Sequence, residues 1–148
     1  MCIRDSGNGD PSGFNLNDCS TQRNLSDDGR EQALRIGEFF TKNKIEIDKV
    51  ISSEWCRCKE TAKIAFKDYT TKSFLNSFYS SKFAKNKDKH VKALKEYIKN
   101  YKNNNNENLV LVTHYVLISE ILNYGSSSGE IVVSDKNFNI IDTQEISY

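Results

Sequence analysis

The sequence predicts an α/β fold in which helices cover a mostly parallel β-sheet. Segments typical of strands alternate along the chain with amphipathic helical patterns, and this order is characteristic of layered α/β proteins. The segment 109–113 (LVLVT) is apolar without alternation, as expected of a strand that is buried on both faces of a parallel sheet. A chain of 148 residues fits one domain, so residues 1–148 are predicted to form a single domain.

Four helices are predicted from apolar periodicity and capping residues. The first begins after the N-cap Ser26, carries acidic residues in its first turn and runs to about Lys42. Residues 67–86 lack a clear period and are predicted to be an irregular insertion with one helical turn. The later helices are expected at about 56–66, 91–101 and 115–124.

Further strands are predicted on either side of the apolar segment. A short strand is expected at 49–52, and two strands at 130–134 and 138–146 are predicted to form a terminal hairpin. The asparagine run 103–106 is a polar stop that separates the third helix from the apolar strand.

Composition and charge exclude several classes of protein. The net charge of +1 is close to zero and does not indicate any class of binding partner. No apolar run approaches the roughly 18–20 residues that a membrane-spanning helix needs, so no membrane association is predicted. The N-terminus shows no signal-peptide pattern. Residues 1–6 (MCIRDS) look non-native, however, and the compartment therefore stays open, with the cytoplasm weakly favoured.

The four cysteines, at positions 2, 19, 56 and 58, do not have the spacing of a disulfide framework in a chain of this length. A metal site would need more ligands than a CxC pair and two histidines supply. The cysteines are therefore expected to be inert or half-buried. Neither a metal nor a cofactor is predicted.

Two residues that can bind anions follow two of the predicted strands. Arg57 opens the helix after the strand 49–52, and His114 opens the helix after the strand 109–113. If both strands are parallel, the two side chains emerge at the same edge of the sheet, beside helix N-termini, where ligands bind in such folds. A planar, permanently charged donor beside an imidazole is suited to phosphate. The alternatives are a surface arginine paired with a nearby glutamate and a histidine bonded to backbone.

Three segments in this order resemble motifs of the histidine phosphatase superfamily, the phosphoglycerate-mutase-like enzymes. Residues 52–62 (SSEWCRCKETA) resemble its second phosphate-binding motif, and residues 112–114 (VTH) resemble its late histidine motif. Residues 24–33 (NLSDDGREQA) resemble the start of the helix that follows its first catalytic loop. Together the three motifs cover roughly residues 7–146 and are far more specific than any one alone.

The resemblance implies a three-layer α/β/α sandwich and a mechanism of phosphoryl transfer. In this family a histidine of an Arg-His pair attacks phosphorus, and water hydrolyses the resulting phosphohistidine. Arg57 and His114 match the second arginine and the late histidine, which bind the phosphoryl oxygens and stabilise the developing charge. Arg23 is a further candidate for phosphate contact, and Asn8 lies in the loop that would follow the Arg-His pair.

The sequence departs from the family at the nucleophile. The Arg-His pair is expected immediately before Gly7, but residues 2–6 (CIRDS) contain no histidine. His90 is not expected to replace it, because it lies in a lysine-rich stretch of a predicted surface helix. We therefore expect a chain that is truncated before the Arg-His motif, with residues 7–148 family-like and the first central strand missing. Such a chain should be inactive.

The substrate class is indicated only by the small number of acidic residues in the irregular insertion 67–86 and the start of the helix after it. Asp68 and Asp88 are the only acids from residue 68 to 88, so no proton donor is identified. This favours a small phosphohistidine-phosphatase-like member over a mutase. The expected substrate is a phosphomonoester or a phosphohistidine protein, and the oligomeric state is unknown.

Other functions are less well supported. A non-catalytic phosphate-binding module remains the main alternative, because Arg57 and His114 alone could bind a phosphorylated ligand. The lysines between 82 and 102 are interspersed with acids and are more typical of a solvated helix face than of a nucleic-acid site. A GxSxG elbow is absent, and the glycine-rich stretch 7–13 lacks the ending of a P-loop.

Overall fold

The structure, a computed structural model, describes residues 10–80, 83–102 and 107–147. Predictions for residues 1–9, among them Asn8 and the missing first strand, and for the asparagine run 103–106 lie outside the described residues. The described helices are α1 (Asp27–Lys42), α2 (Cys56–Phe66), α3 (Lys87–Asn100) and α4 (Tyr115–Leu122). The strands are β1 (Ile47–Ser52), β2 (Thr70–Thr71), β3 (Asn108–Val112), β4 (Ile131–Ser134) and β5 (Ile140–Gln144).

The main sheet is parallel and has the strand order β2-β1-β3. Ile51 pairs with Leu111 and Ser52 with Val112, so β1 and β3 end side by side. The strands β4 and β5 form the predicted antiparallel hairpin as a second sheet. The predicted α/β class with a parallel sheet is therefore confirmed, and the two-residue strand β2 was not predicted.

Side chains that alternate along β1 and β3 pack against helices on opposite faces of the sheet. Val50 and Val112 belong to one buried cluster, with Trp55 and Ala62 at the start and middle of α2. Ile51 faces the other way and packs with residues of α3 and α4, Leu94 and Leu117 among them. Because successive residues of a strand point to opposite faces, these clusters give the expected order of helix layer, sheet and helix layer.

The strand β3 is less buried than its apolar sequence predicts. Val112 is buried, but Leu109, Val110 and Leu111 are only partly so. Among the described strands β3 is the last in the sheet order, with β1 as its neighbour. A strand at the end of the sheet is covered less completely by neighbouring elements than a central strand is. This explains why the prediction of full burial was wrong.

The helix α1 has the predicted ends, and a glycine allows it to approach α2 closely. Ser26 Oγ accepts a hydrogen bond from Gly29 N, as expected of an N-cap. Ala33, Ile36 and Phe40 are buried on one face. On the same face, a Cβ atom on Gly37 would lie 2.4 Å from the Ala65 carbonyl oxygen of α2. The contact between the two helices therefore requires glycine at this position.

Replacing Gly37 with alanine is expected to lower the free energy of unfolding by about 1–3 kcal/mol. Alanine normally stabilises a helix relative to glycine by about 0.5–1 kcal/mol, but here the overlap with backbone atoms of Ala65 outweighs that gain. Urea unfolding measures the change. Gly125→Ala is the control, because no atom lies within 4 Å of the added methyl group. Equal stability of the two variants would contradict the close contact.

The segment between α2 and α3 is irregular, as predicted, but it buries His90. Its described residues include two short 3₁₀ turns, Ser73–Leu75 and Ala84–Asn86, in addition to β2. His90 lies in the first turn of α3 and is buried. The prediction that it lies on a surface helix was wrong, because this turn packs against the segment that carries Leu75 and Asn76.

No helix in the described ranges is long and apolar enough to cross a bilayer.

Candidate functional site

The candidate site lies where β1 and β3 end at the same edge of the sheet. Ser53 N donates a hydrogen bond to the Val112 carbonyl oxygen (2.9 Å), which continues the parallel pairing by one step. His114 follows directly as the N-cap residue of α4. The predicted meeting of the two strand ends is therefore present. Ser53 and His114 are both buried there.

His114 is held by side chains rather than by backbone. Its Nε2 lies 2.8 Å from Ser53 Oγ and 3.7 Å from Cys58 Sγ. The Trp55 ring packs edge-on against the imidazole with 5.0 Å between ring centroids. Burial, and secondarily the positive charge of Arg57, keeps the pKa of His114 well below its ordinary value. The imidazole is therefore neutral near pH 7.

Arg57 lies in the first turn of α2 and is mostly buried. Its Nη1 donates to Asp10 Oδ1 at 2.8 Å and to the Arg23 carbonyl oxygen at 3.3 Å. The glutamates considered as surface partners have other contacts: Glu60 pairs with Arg30, and Glu54 bonds Asn76. Arg57 is thus a positioned cation at the edge of the sheet, near enough to His114 to lower the imidazole pKa.

Asp10 holds Arg57 in place and was not assigned a role from the sequence. Its carboxylate is 8% exposed and accepts from Arg57 Nη1, from Trp55 Nε1 (3.0 Å) and from Arg23 N (3.0 Å). These donors come from positions 13 to 47 residues further along the chain. In the sequence, Asp10 is an acidic residue in a long loop before a motif that resembles a phosphate-binding one. This position alone does not indicate which residue Asp10 contacts.

Arg23 contributes backbone contacts and an unused donor. Its N–H donates to Asp10 and its carbonyl oxygen accepts from Arg57, so the residue lies against Arg57. Its side-chain Nη2 is buried without a hydrogen-bond partner among the described residues. A buried guanidinium nitrogen without an acceptor is costly, and an anion bound beside Arg57 would supply one.

A disulfide staples the loop that contains Arg23 to α2. Cys19 and Cys56 are bonded, with 5.7 Å between their Cα atoms and 37 residues between them in sequence. Next to the disulfide, Gln22 Oε1 accepts from Cys56 N at the start of α2. Cys58 is also disulfide-bonded. The prediction from spacing that the cysteines form no disulfide framework and are inert or half-buried was wrong, because pairing depends on how the loop folds back.

Asn76 is a second residue that the sequence did not identify. It is buried, and its side chain bonds Ser53 and both the backbone and the carboxylate of Glu54. Thr113 Oγ1 donates to the Leu75 carbonyl oxygen (2.6 Å), which fixes this segment against the end of β3. The site is thus bordered by an amide in the region where the sequence offered no acid.

The described residues contain no group of three or more acids, histidines and cysteines that could hold a metal ion. An apolar cavity of about 670 Å³ lies between β3, α4 and the terminal hairpin, but neither Arg57 nor His114 lines it. Its walls are mostly apolar, with polar side chains such as Asn108 and Lys136 among them.

The sequence and the fold are both similar to those of known proteins. Residues 18–77 match the sequence model of the histidine phosphatase superfamily (branch 1). SixA from Agrobacterium tumefaciens, assigned as a phosphohistidine phosphatase, has a similar structure with a TM-score of 0.64 and 16% identity, covering 97% of this chain and 92% of that one. Phosphoglycerate mutase from Thermus thermophilus has a TM-score of 0.58 and 16% identity, covering 84% of this chain and 85% of that one. No curated protein sequence matches significantly.

The described residues define an α/β protein with a cationic, histidine-containing site at the carboxyl edge of a parallel sheet. At these identities the structural likeness establishes the phosphoglycerate-mutase-like fold. The match of residues 18–77 to the histidine phosphatase superfamily lies within this fold and includes Arg57.

Proposed function

We propose that this protein is a phosphohydrolase of the histidine phosphatase type, which binds a phosphoryl group between Arg57 and His114. The observation that carries the proposal is the position of both residues at one sheet edge: β1 and β3 end side by side, Arg57 lies in the first turn of the helix after β1, and His114 is the N-cap of the helix after β3. A guanidinium so placed can bind the oxygens of a phosphoryl group and stabilise the charge that develops during its transfer, and the imidazole beside it can contact one of these oxygens.

Arg23 and Asn8 are proposed as further phosphate contacts. Arg23 Nη2 is buried without an acceptor among the described residues, which supports a role for its guanidinium in binding an anion. The assignment of Asn8 as a phosphate contact rests on the resemblance of its loop to the family's first catalytic loop. The proposed substrate is a phosphomonoester or a phosphohistidine protein. Asp68 and Asp88 are exposed, which supports a substrate whose leaving group needs little help from a proton donor.

The proposed reaction passes through a phosphohistidine. A histidine nitrogen forms a bond to phosphorus as the leaving group departs, and water then attacks phosphorus and frees the histidine. The sequence contains two histidines, His90 and His114, and neither follows an arginine. His90 is buried in α3, and His114 Nε2 bonds Ser53. We therefore propose that the 148-residue chain binds phosphate without turnover.

Binding of inorganic phosphate tests the site by calorimetry. Asp10→Asn/Arg57→Gln is compared with Asp10→Asn, so that no unpaired buried charge is created when the guanidinium is removed. Loss of charged hydrogen bonds worth about 1.5–3 kcal/mol should weaken phosphate binding at least about 10-fold. Arg35→Ala is the control, because Arg35 is an exposed arginine that pairs with Glu31. Equal affinity of the compared variants would contradict the proposed site.

Restoring the motif separates the two candidate functions. The double substitution Asp5→Arg/Ser6→His places an Arg-His pair immediately before Gly7. A phosphatase should then release phosphate from a small phosphomonoester and accumulate an acid-labile phosphohistidine. Phosphate binding without any turnover in this variant would instead favour the alternative, a non-catalytic phosphate-binding module, which the lack of an Arg-His pair in the sequence supports.

A further inference from the structure

We propose that Asn76 and Ser53 are positioning residues that keep the proton of His114 on Nε2, so that His114 meets a bound phosphoryl group through Nδ1. The tautomer follows from contacts within the protein alone. The phosphoryl contact rests on the proposed function.

The orientation of the Asn76 amide is fixed by Glu54. The backbone N–H of Glu54 can only donate, so the Asn76 atom 2.8 Å from it is the oxygen Oδ1. An ionised carboxylate can only accept, so the atom 2.9 Å from Glu54 Oε1 is the nitrogen Nδ2. The two contacts agree, and the amide has one orientation that satisfies both.

The orientation of Asn76 determines the direction of the Ser53 hydroxyl. Ser53 Oγ lies 3.1 Å from Asn76 Oδ1, which has no hydrogen to give, so Ser53 must donate there. A hydroxyl has a single proton, and Ser53 is therefore an acceptor in its other contacts. It accepts from Trp55 N (3.2 Å), which agrees with this assignment.

The contact between Ser53 and His114 then places the imidazole proton. Ser53 Oγ can only accept at 2.8 Å from His114 Nε2, so Nε2 carries the hydrogen. Cys58 Sγ, a weak acceptor at 3.7 Å, lies on the same side. Ser53, Asn76 and His114 are 0%, 6% and 5% exposed. Water therefore has little access to replace a member of this chain of hydrogen bonds.

The remaining ring nitrogen, Nδ1, is the one at which we infer contact with a ligand. Since Nε2 is engaged with Ser53, a phosphoryl group that contacts His114 must do so at Nδ1, which carries a lone pair in this tautomer. Nδ1 can accept a hydrogen bond from the P–OH of a phosphate monoanion, while Arg57 donates to its unprotonated oxygens. The hydrogen bonds from Glu54 through Asn76 and Ser53 thus determine which tautomer of His114 a substrate meets.

Nitrogen-15 NMR of the labelled protein tests the tautomer directly. The sequence has two histidines, so spectra of His90→Gln assign the signals of His114. We expect a protonated, pyrrole-type Nε2 and an unprotonated, pyridine-type Nδ1 in the free protein. In Asn76→Ala the Ser53 hydroxyl loses its acceptor and can donate to Nε2, so the Nδ1–H population should rise.

The control is Ser77→Ala, which lies next to Asn76 and is equally buried, but whose hydroxyl accepts from Tyr79 N. It should leave the tautomer unchanged. An Nδ1–H tautomer in the unsubstituted protein, or unchanged populations in folded Asn76→Ala, would overturn the positioning role. A merely structural effect of Asn76 would alter stability without moving these populations.

Adding inorganic phosphate then tests the contact atom. We expect the Nδ1 signal of His114 to shift while Nε2 stays protonated. A response confined to Nε2 would overturn the proposed contact. If phosphate changes neither signal although calorimetry detects its binding, the phosphoryl contact of His114 fails while the positioning role and phosphate binding by Arg57 stand. If calorimetry detects no binding either, the proposed function fails as well.

Discussion

Replacing Arg57 with alanine should lower the free energy of unfolding by about 3–5 kcal/mol, the range found when one partner of a buried ion pair is removed. Arg57 and Asp10 have side chains that are 13% and 8% exposed and are joined at 2.8 Å. Without the guanidinium, the Asp10 carboxylate stays buried, and its remaining donors among the described residues are neutral. The remaining bonds from Trp55 and Arg23 place the expected loss toward the lower end of this range.

A double-mutant cycle distinguishes an unpaired charge from lost packing. Asp10→Asn added to Arg57→Ala removes the buried charge, so it should recover part of the stability that Arg57→Ala loses. Arg30→Ala serves as the control, because Arg30 forms ion pairs at the surface with Asp27 and Glu60. Such pairs contribute about 0–1 kcal/mol. Urea unfolding measures the stability of each variant. If Arg57→Ala lowers the free energy of unfolding no more than Arg30→Ala does, the buried ion pair is contradicted.

The elements that sequence patterns locate well are those that local rules determine. The helix α2 has the predicted bounds, 56–66, and α1 begins after the predicted cap Ser26. Both depend on residues within a few positions of each other, such as a capping hydroxyl or an apolar face. The positions of Arg57 and His114 followed from these elements and one further assumption, that β1 and β3 are parallel.

The groups that hold Arg57 and His114 could not be predicted in the same way. Asp10 meets Arg57 across 47 positions, and Asn76 meets Ser53 across 23. Nothing in the local pattern of either residue names its partner, because the path of the intervening loop decides the contact. The resemblance to a family located the residues proposed to bind phosphate, but not the side chains that orient them.

His90 shows a different reason for failure. It lies four positions before the buried Leu94 and therefore on the same face of α3, so helical periodicity alone would have placed it inside. The lysines around it suggested a surface instead. In an amphipathic helix, the face on which a residue lies predicts its burial better than the charge of its sequence neighbours does.

Removing the disulfide between Cys19 and Cys56 is expected to lower the free energy of unfolding about as much as Arg57→Ala does. In the chain-entropy description, a cross-link across 37 residues stabilises the folded state by about 4 kcal/mol. The variant Cys19→Ser/Cys56→Ser should show this loss in urea unfolding without reductant. Using substitutions rather than a reductant leaves the disulfide of Cys58 intact. Ser20→Ala, at an exposed position beside Cys19, is the control and should change stability little.

Phosphate binding by the same variant shows what the disulfide does for the site. The cross-link ties α2, which carries Arg57, to the loop that carries Arg23. If Arg23 contributes to the site, loosening the loop should weaken phosphate binding, even at temperatures where the variant is folded. A loss of stability with unchanged phosphate affinity would remove Arg23 from the site and leave Arg57 and His114 as its core. A variant that is as stable as the unsubstituted protein would contradict the disulfide itself.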